Sequence, residues 1–280
     1  YVLISQLGYL VTVNVATSAA VRSAQEGIET GVGYTPYTYA YYVLLLPYSI
    51  VTISIVTAIL PHISKLALDG KRDEVKAQLI RAIRLVGVIT VPSAVAFLFF
   101  GPLITQSIFV GISNEDSRYI GYVLSALSFG LVAFSINLIL IRGFNAFEDT
   151  RTQVASILVI NIVSVAMSYF FLSFVKTQWV TIGLGVAFSV SYLVGLFVTL
   201  GLLKKHVGKL AISEFLGQHL RLLIASVLAM APLFVMTQYI SLLEIEFSRA
   251  ARAGELLVVM VVAFFAYILA AKALRIEEIS

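Results

Sequence analysis

Hydrophobic residues make up 60% of this 280-residue chain and charged residues only 12%, with a mean hydropathy of +0.98. Soluble domains carry about 45–50% apolar and about 25% charged residues, so lipid must be the solvent for most of this chain. The formal charge of +4 does not point to nucleic acid, because the basic residues fall between apolar runs rather than on one soluble face, and the absence of cysteine excludes disulfides and thiolate metal sites.

Charged residues punctuate eight apolar runs, near residues 1–21, 37–60, 85–110, 119–141, 152–175, 178–203, 220–240 and 254–271. A spanning helix needs about 20 apolar residues, and the period-two alternation of a transmembrane barrel is missing. The predicted fold is therefore all-α: a polytopic transmembrane helical bundle of about eight spans. A start at Tyr1 inside an apolar run, without an initiator Met, reads as a fragment of a longer protein.

The second run stands apart. No Asp, Glu, Lys or Arg occurs between Glu29 and Lys65. Tyr37, Tyr39, Tyr41 and Tyr42 crowd one end, where amphipathic rings favour the membrane interface. Pro47 sits mid-span, removing a backbone donor and predicting a bend; Pro61 closes the run.

Fourteen Lys and Arg residues fall in the second, fourth and sixth connections and the C-terminal end, against five in the odd connections. This asymmetry places the even loops, and with eight spans both chain ends, in the cytoplasm. In the second loop, Val75, Leu79, Ala82 and Ile83 recur at helical spacing with cations opposite, which predicts an interfacial helix held by anionic headgroups.

Chemistry-bearing clusters are scarce. His62, His206 and His219 lie apart at span ends, so no metal site is expected, and no cofactor motif is present. None of the fifteen acidic residues sits at the centre of an apolar run, which argues against an enzyme working within the membrane. Gly183 and Gly185 read as small residues for close helix packing rather than as a phosphate loop. The remaining polar groups are Asn14 and Arg22 on the first span, Asn137 and Arg142 on the fourth, and Asn161, Ser164 and Ser168 on one face of the fifth. Two readings stay open for them. Asn and Ser can be packing glue and Arg can snorkel to headgroups; alternatively the groups face an internal cavity. Arg142 and Arg151 are expected to meet lipid phosphates or the loop acids Glu148 and Asp149.

The stretch Ala40-Tyr41 to Pro47, followed by Thr57-Ala58-Ile59-Leu60-Pro61-His62-Ile63-Ser64-Lys65-Leu66-Ala67, resembles the MviN/MurJ family of lipid II flippases, in the multidrug/oligosaccharidyl-lipid/polysaccharide exporter superfamily. Pro92-Ser93-Ala94 with Gly101-Pro102-Leu103-Ile104 is similar to that family's ninth helix, and Arg142-Gly143-Phe144-Asn145-Ala146-Phe147-Glu148-Asp149-Thr150-Arg151-Thr152 to its loop between helices ten and eleven. The resemblance implies that residues 1–206 are a six-helix C-terminal transporter lobe (helices seven to twelve) and residues 207–280 two additional helices (thirteen and fourteen). It also implies transport of a lipid-linked peptidoglycan precursor across the bacterial inner membrane by alternating access. Its partners would be lipid II, membrane lipids and a missing N-terminal six-helix lobe. Other exporters of the superfamily remain an alternative. So does a membrane scaffold for a cytoplasmic regulatory domain after Ser280.

Relative to the family, the positions of an expected Arg, Glu and Asp ahead of the mid-helix proline hold Tyr42, Leu45 and Tyr41, while Thr35 keeps the hydroxyl of a family Ser. Some relatives bind sodium among helices seven, eleven and twelve using Asp; here Asn161 is followed four residues later by Val165, which does not fit such a site. The expected cavity-lining residues are Asn14, Arg22, Thr35 and Tyr42, with Pro47 as the hinge.

Overall fold

A computed structural model describes residues 2–28, 31–208, 210, 213–242, 249–276 and 278. Among them there are only helices: α1 (Val2–Gln25), α2 (Tyr34–Pro47), α3 (Ile53–Leu68), α4 (Arg72–Ile108), α5 (Asn114–Ala146), α6 (Thr150–Phe174), α7 (Thr177–Val207), α8 (Ser213–Leu242) and α9 (Arg249–Ala273). A π-helical turn, Tyr48–Thr52, joins α2 to α3 into one 35-residue span, so eight segments are long and apolar enough to cross a membrane.

The bundle is built around α5. In its most apolar stretch 78% of residues are buried, against 17–44% in the other spans. Apolar helices gain little from hiding in one another when lipid is the alternative, so close approach must come from small residues. A Cβ on Gly121 would lie 2.3 Å from Cα of Pro102 in α4, and one on Gly130 would lie 2.7 Å from Cα of Ser189 in α7. The packing role read for Gly183 and Gly185 holds: Cβ atoms there would sit 2.4 Å from the ring of Phe171 and 2.9 Å from Ala126.

Helix α4 carries prolines at positions 92 and 102, each of which denies a hydrogen bond to the carbonyl four residues earlier. Lipid has no water to satisfy those carbonyls. Neighbouring helices supply the donors instead. The Tyr267 hydroxyl of α9 donates to the Val88 carbonyl at 2.7 Å, and Ser125 Oγ of α5 reaches the carbonyls of Phe97 at 3.0 Å and Leu98 at 3.2 Å. These bonds dock α9 and α5 against α4.

One expectation is corrected here. The amphipathic loop is no separate interfacial helix but the first turns of α4, which runs unbroken for 37 residues. Val75, Leu79, Ala82 and Ile83 are at most 1% exposed and share a core with Ile63, Leu140 and Phe144. The apolar stripe meets protein rather than headgroups, because α3, α5 and α7 continue to the same level and cover it. The aromatic belt is likewise only partly interfacial. Tyr37 is buried in the core, Tyr39 stacks on Phe109 at 5.1 Å, and Tyr42 is exposed.

Tyr267→Phe is expected to destabilise the protein by about 1–3 kcal/mol, the cost of an orphaned buried carbonyl. Pro92→Ala, which restores the N–H facing Val88, should abolish most of that penalty in the double variant. Thermal unfolding in detergent tests this; equal penalties in both backgrounds would contradict the assignment.

Candidate functional site

Along α1, Asn14, Thr17, Ser18, Val21, Arg22 and Gln25 line one open groove of about 330 Å³. Asn14, Thr17 and Gln25 are exposed. Spacings of three, four and seven put them in a single row. A polar row on a spanning helix is unfavourable against hydrocarbon, so this face suits water or another protein surface. Arg22 is half-buried, and its Nη1 donates to the Leu172 carbonyl at 2.9 Å, in the last turn of α6. There the cation also meets the negative end of that helix dipole. Its other flank opens onto a second groove of about 280 Å³ with Glu26, Lys176 and Gln178.

The structure therefore brings Asn14 and Arg22 together. Thr35 and Tyr42 are both exposed on α2, seven residues apart and so on one helical face, but neither lines the α1 groove. At Pro47 the chain does depart from regular α geometry. Tyr48 donates to the Leu45 carbonyl three residues back, and Ile53 donates to Tyr48 five residues back, so a tightened turn runs into a widened one. Insertions of this kind are an established cause of helix bending.

A partly open cavity of about 240 Å³ is bordered by α1, α2, α5, α6 and α7, the kind of place the second reading left open for these polar groups. Tyr9, Tyr37, Tyr41, Tyr48 and Tyr192 line it with Asn137, Asn161 and Ser164. Asn137 is only 1% exposed. Its amide donates to the carbonyls of Ala133 (2.9 Å) and Tyr192 (3.1 Å), and its Oδ1 accepts from Thr199 at 2.9 Å. Thr199 is in turn hydrogen-bonded to Ser156, so one polar chain ties α5, α6 and α7 together. For Asn161 the packing reading fits: its amide donates to the Ile157 carbonyl at 2.9 Å, and Oδ1 lies where a Cβ on Gly8 would be. The signal in the sequence is that Asn137, Ser156 and Thr199 are polar positions at similar depth in three largely apolar runs. Nothing in a single sequence pairs them.

Of the two partners expected for Arg142 and Arg151 at the basic end of the bundle, lipid phosphates or the loop acids, Asp149 is taken by other residues. Asp149 instead caps α6, accepting from the Thr152 N–H at 3.0 Å and hydroxyl at 2.6 Å. It also holds Lys205 at 2.8 Å and His206 at 2.7 Å. His206 stacks on Phe147 with ring centroids 4.9 Å apart. The C-terminal end of α7 passes beside the α5–α6 turn, so its cations reach the carboxylate first. Arg151 is exposed, and Arg142 keeps a buried Nε with no hydrogen-bond partner among the described residues.

A family model described as lipid II flippase MurJ matches residues 1–262. The chain belongs to the MurJ lipid II flippase family. It is 29% identical over 167 residues to a probable lipid II flippase MurJ of Rhizobium meliloti (strain 1021), covering 58% of this chain and 30% of the relative. Against the lipid II flippase MurJ of Burkholderia cenocepacia the identity is 27% over 207 residues, with 73% and 37% covered. A solved structure of lipid II flippase MurJ in an inward closed conformation superimposes with a TM-score of 0.68 at 20% identity, over 97% of this chain and 52% of that one. This likeness shows the fold. The chain spans less than half the length of those curated relatives and about half of the solved structure. Family and spans together make it a multi-pass protein of the bacterial inner membrane.

The lysine, the histidine and the capped N–H and hydroxyl hold the Asp149 carboxyl far below the usual carboxylate range, Lys205 contributing most. A carboxyl lowered in the folded state stabilises it above the ordinary carboxylate pKa and loses that contribution as pH falls below it. Asp149→Asn is therefore expected to cost about 1–3 kcal/mol at pH 7. The difference from wild type should shrink steadily below about pH 4, as followed by unfolding at a series of pH values. A constant difference would show that only the cap, and not the charge, contributes.

Proposed function

We propose that this chain is the C-terminal part of a transporter that moves lipid II across the inner membrane by alternating access, without making or breaking a bond. The polar row of α1 carries the reading, since family membership alone would not say which face meets the substrate. In the proposed arrangement residues 1–206 form one lobe and residues 207–280 two appended helices. Both chain ends are cytoplasmic, and the α1 row faces a cavity shared with an N-terminal lobe. Arg22 is the cation of this lobe that would hold the diphosphate. Guanidinium donates to phosphate bidentately, and one of its nitrogens is already fixed on Leu172, which pre-orients the remaining donors. Asn14 would hydrogen-bond the sugar headgroup, and Thr35 and Tyr42 would border the cavity from α2. The Pro47 π-turn is the proposed hinge, because the span is already divided there into two regular halves that can reorient.

The test is depletion of the full-length protein in its host, scoring externally accessible lipid II. Wild type should rescue. Arg22→Ala should reduce export about tenfold or more, the scale of one lost charge-assisted contact, while Arg22→Lys should restore part of it. Rescue by Arg22→Ala equal to wild type would confine Arg22 to capping α6. External lipid II unchanged on depletion would remove the transport reading itself.

A further inference from the structure

On a different face from the α1 row, a cleft of about 800 Å³ lies between the paired ends of α4–α5 and α8–α9, at the end of the bundle opposite the Asp149 cluster. Its lining is graded along the helices. Toward mid-span it is apolar: Leu98, Phe99 and Leu103 of α4 face Phe234 of α8, with the Phe99 and Phe234 rings stacked at 5.2 Å. At the helix ends it carries two cations, Arg118 and Arg252, and two carboxylates, Glu115 and Glu255. Neither arginine has a carboxylate within ion-pair distance among the described residues. Both are braced by neutral acceptors instead. Arg252 Nη1 donates to Gln106 Oε1 at 2.8 Å, and Arg118 Nε donates to the Tyr122 hydroxyl at 2.8 Å. Each guanidinium is thus held in place by one nitrogen, with no other side-chain hydrogen bond among the described residues.

We infer that this cleft binds a zwitterionic, amine-bearing phospholipid. The phosphate would lie between Arg118 and Arg252, the ammonium against Glu115 and Glu255, and an acyl chain along Phe99 and Phe234. Three observations select that occupant. The apolar-to-polar gradient runs along the helices, as the chain and headgroup of a standing amphiphile do. The four charges sum to zero, so an anionic lipid of net charge −1 leaves a carboxylate opposed to it, whereas a zwitterion matches both signs. Neither arginine is tied up in a direct ion pair among the described residues, which leaves bidentate capacity for one phosphate. This inference is independent of the α1 row and of lipid II transport.

The experiment is native mass spectrometry of the purified, delipidated full-length protein with equimolar phosphatidylethanolamine and phosphatidylglycerol. Wild type should retain phosphatidylethanolamine about tenfold over phosphatidylglycerol, the scale of one charge-assisted contact. Arg118→Gln with Arg252→Gln should lose retention of both lipids. Glu115→Gln with Glu255→Gln, which leaves two cations, should reverse the preference toward phosphatidylglycerol, an outcome that misfolding does not produce. Equal retention of the two lipids by wild type would overturn the inference. So would an unchanged preference in the Glu double variant, or displacement of phosphatidylethanolamine by an equimolar polyprenyl phosphate.

Discussion

Every polar group placed in hydrocarbon must find its partner inside the protein. Helix α4 shows how far this reaches. Its two internal prolines free carbonyls at Val88 and Leu98, and both are answered from other helices, by Tyr267 and Ser125. A proline that would break a soluble helix here becomes a docking point, because the freed acceptor is worth most where no water competes for it. The placement of α9 against α4 follows from this bond as much as from apolar packing.

The same logic organises the centre of the bundle. Gly121, Gly130 and Gly185 let α4, α5 and α7 approach to backbone contact, and dispersion is then the main attraction. Asn137, Thr199 and Ser156 close a hydrogen-bonded chain across α5, α7 and α6, fixing rotational register that apolar contact alone would leave loose. At the basic end Asp149 performs the matching task in water's reach, fastening the α5–α6 turn to the last residues of α7. Together these devices make α4, α5 and α7 a stiff unit.

Much of this was legible from the sequence in kind but not in pairing. Run length and charge gave all eight spans, and Pro47 marked the break that the π-turn realises. The row from Asn14 to Gln25 was visible as polar residues on an apolar helix. What the structure overturns are expectations that depend on which surface a helix meets. Val75, Leu79, Ala82 and Ile83 have the periodicity of an interfacial helix, and periodicity does not distinguish a lipid surface from a protein core. Tyr37 looked like a belt residue, yet it is buried. Arg142 and Arg151 lost Asp149 to Lys205 and His206, residues more than fifty positions away whose approach depends on the α5–α7 crossing.

The stiff unit also bears on how a transporter of this kind would divide its labour. Helix α6 is the least covered span of the lobe at 17%, and next come α1 and α2–α3, with 28% and 22% of their apolar stretches buried. These two carry both the proposed cavity row and the π-turn. An alternating-access change needs one part that keeps its shape and another that can be repositioned without breaking buried hydrogen bonds. The Asn137 chain and the proline-answering bonds lie among α4 to α7 and α9 and can persist through such a change. The π-turn has already given up regular α bonding, so bending there sacrifices fewer regular bonds than bending elsewhere in the span. On this argument Arg22 has a second consequence. Its bond to Leu172 pins the end of α1 to α6, so any movement of the cavity row must carry α6 with it or give up that bond to a competing phosphate.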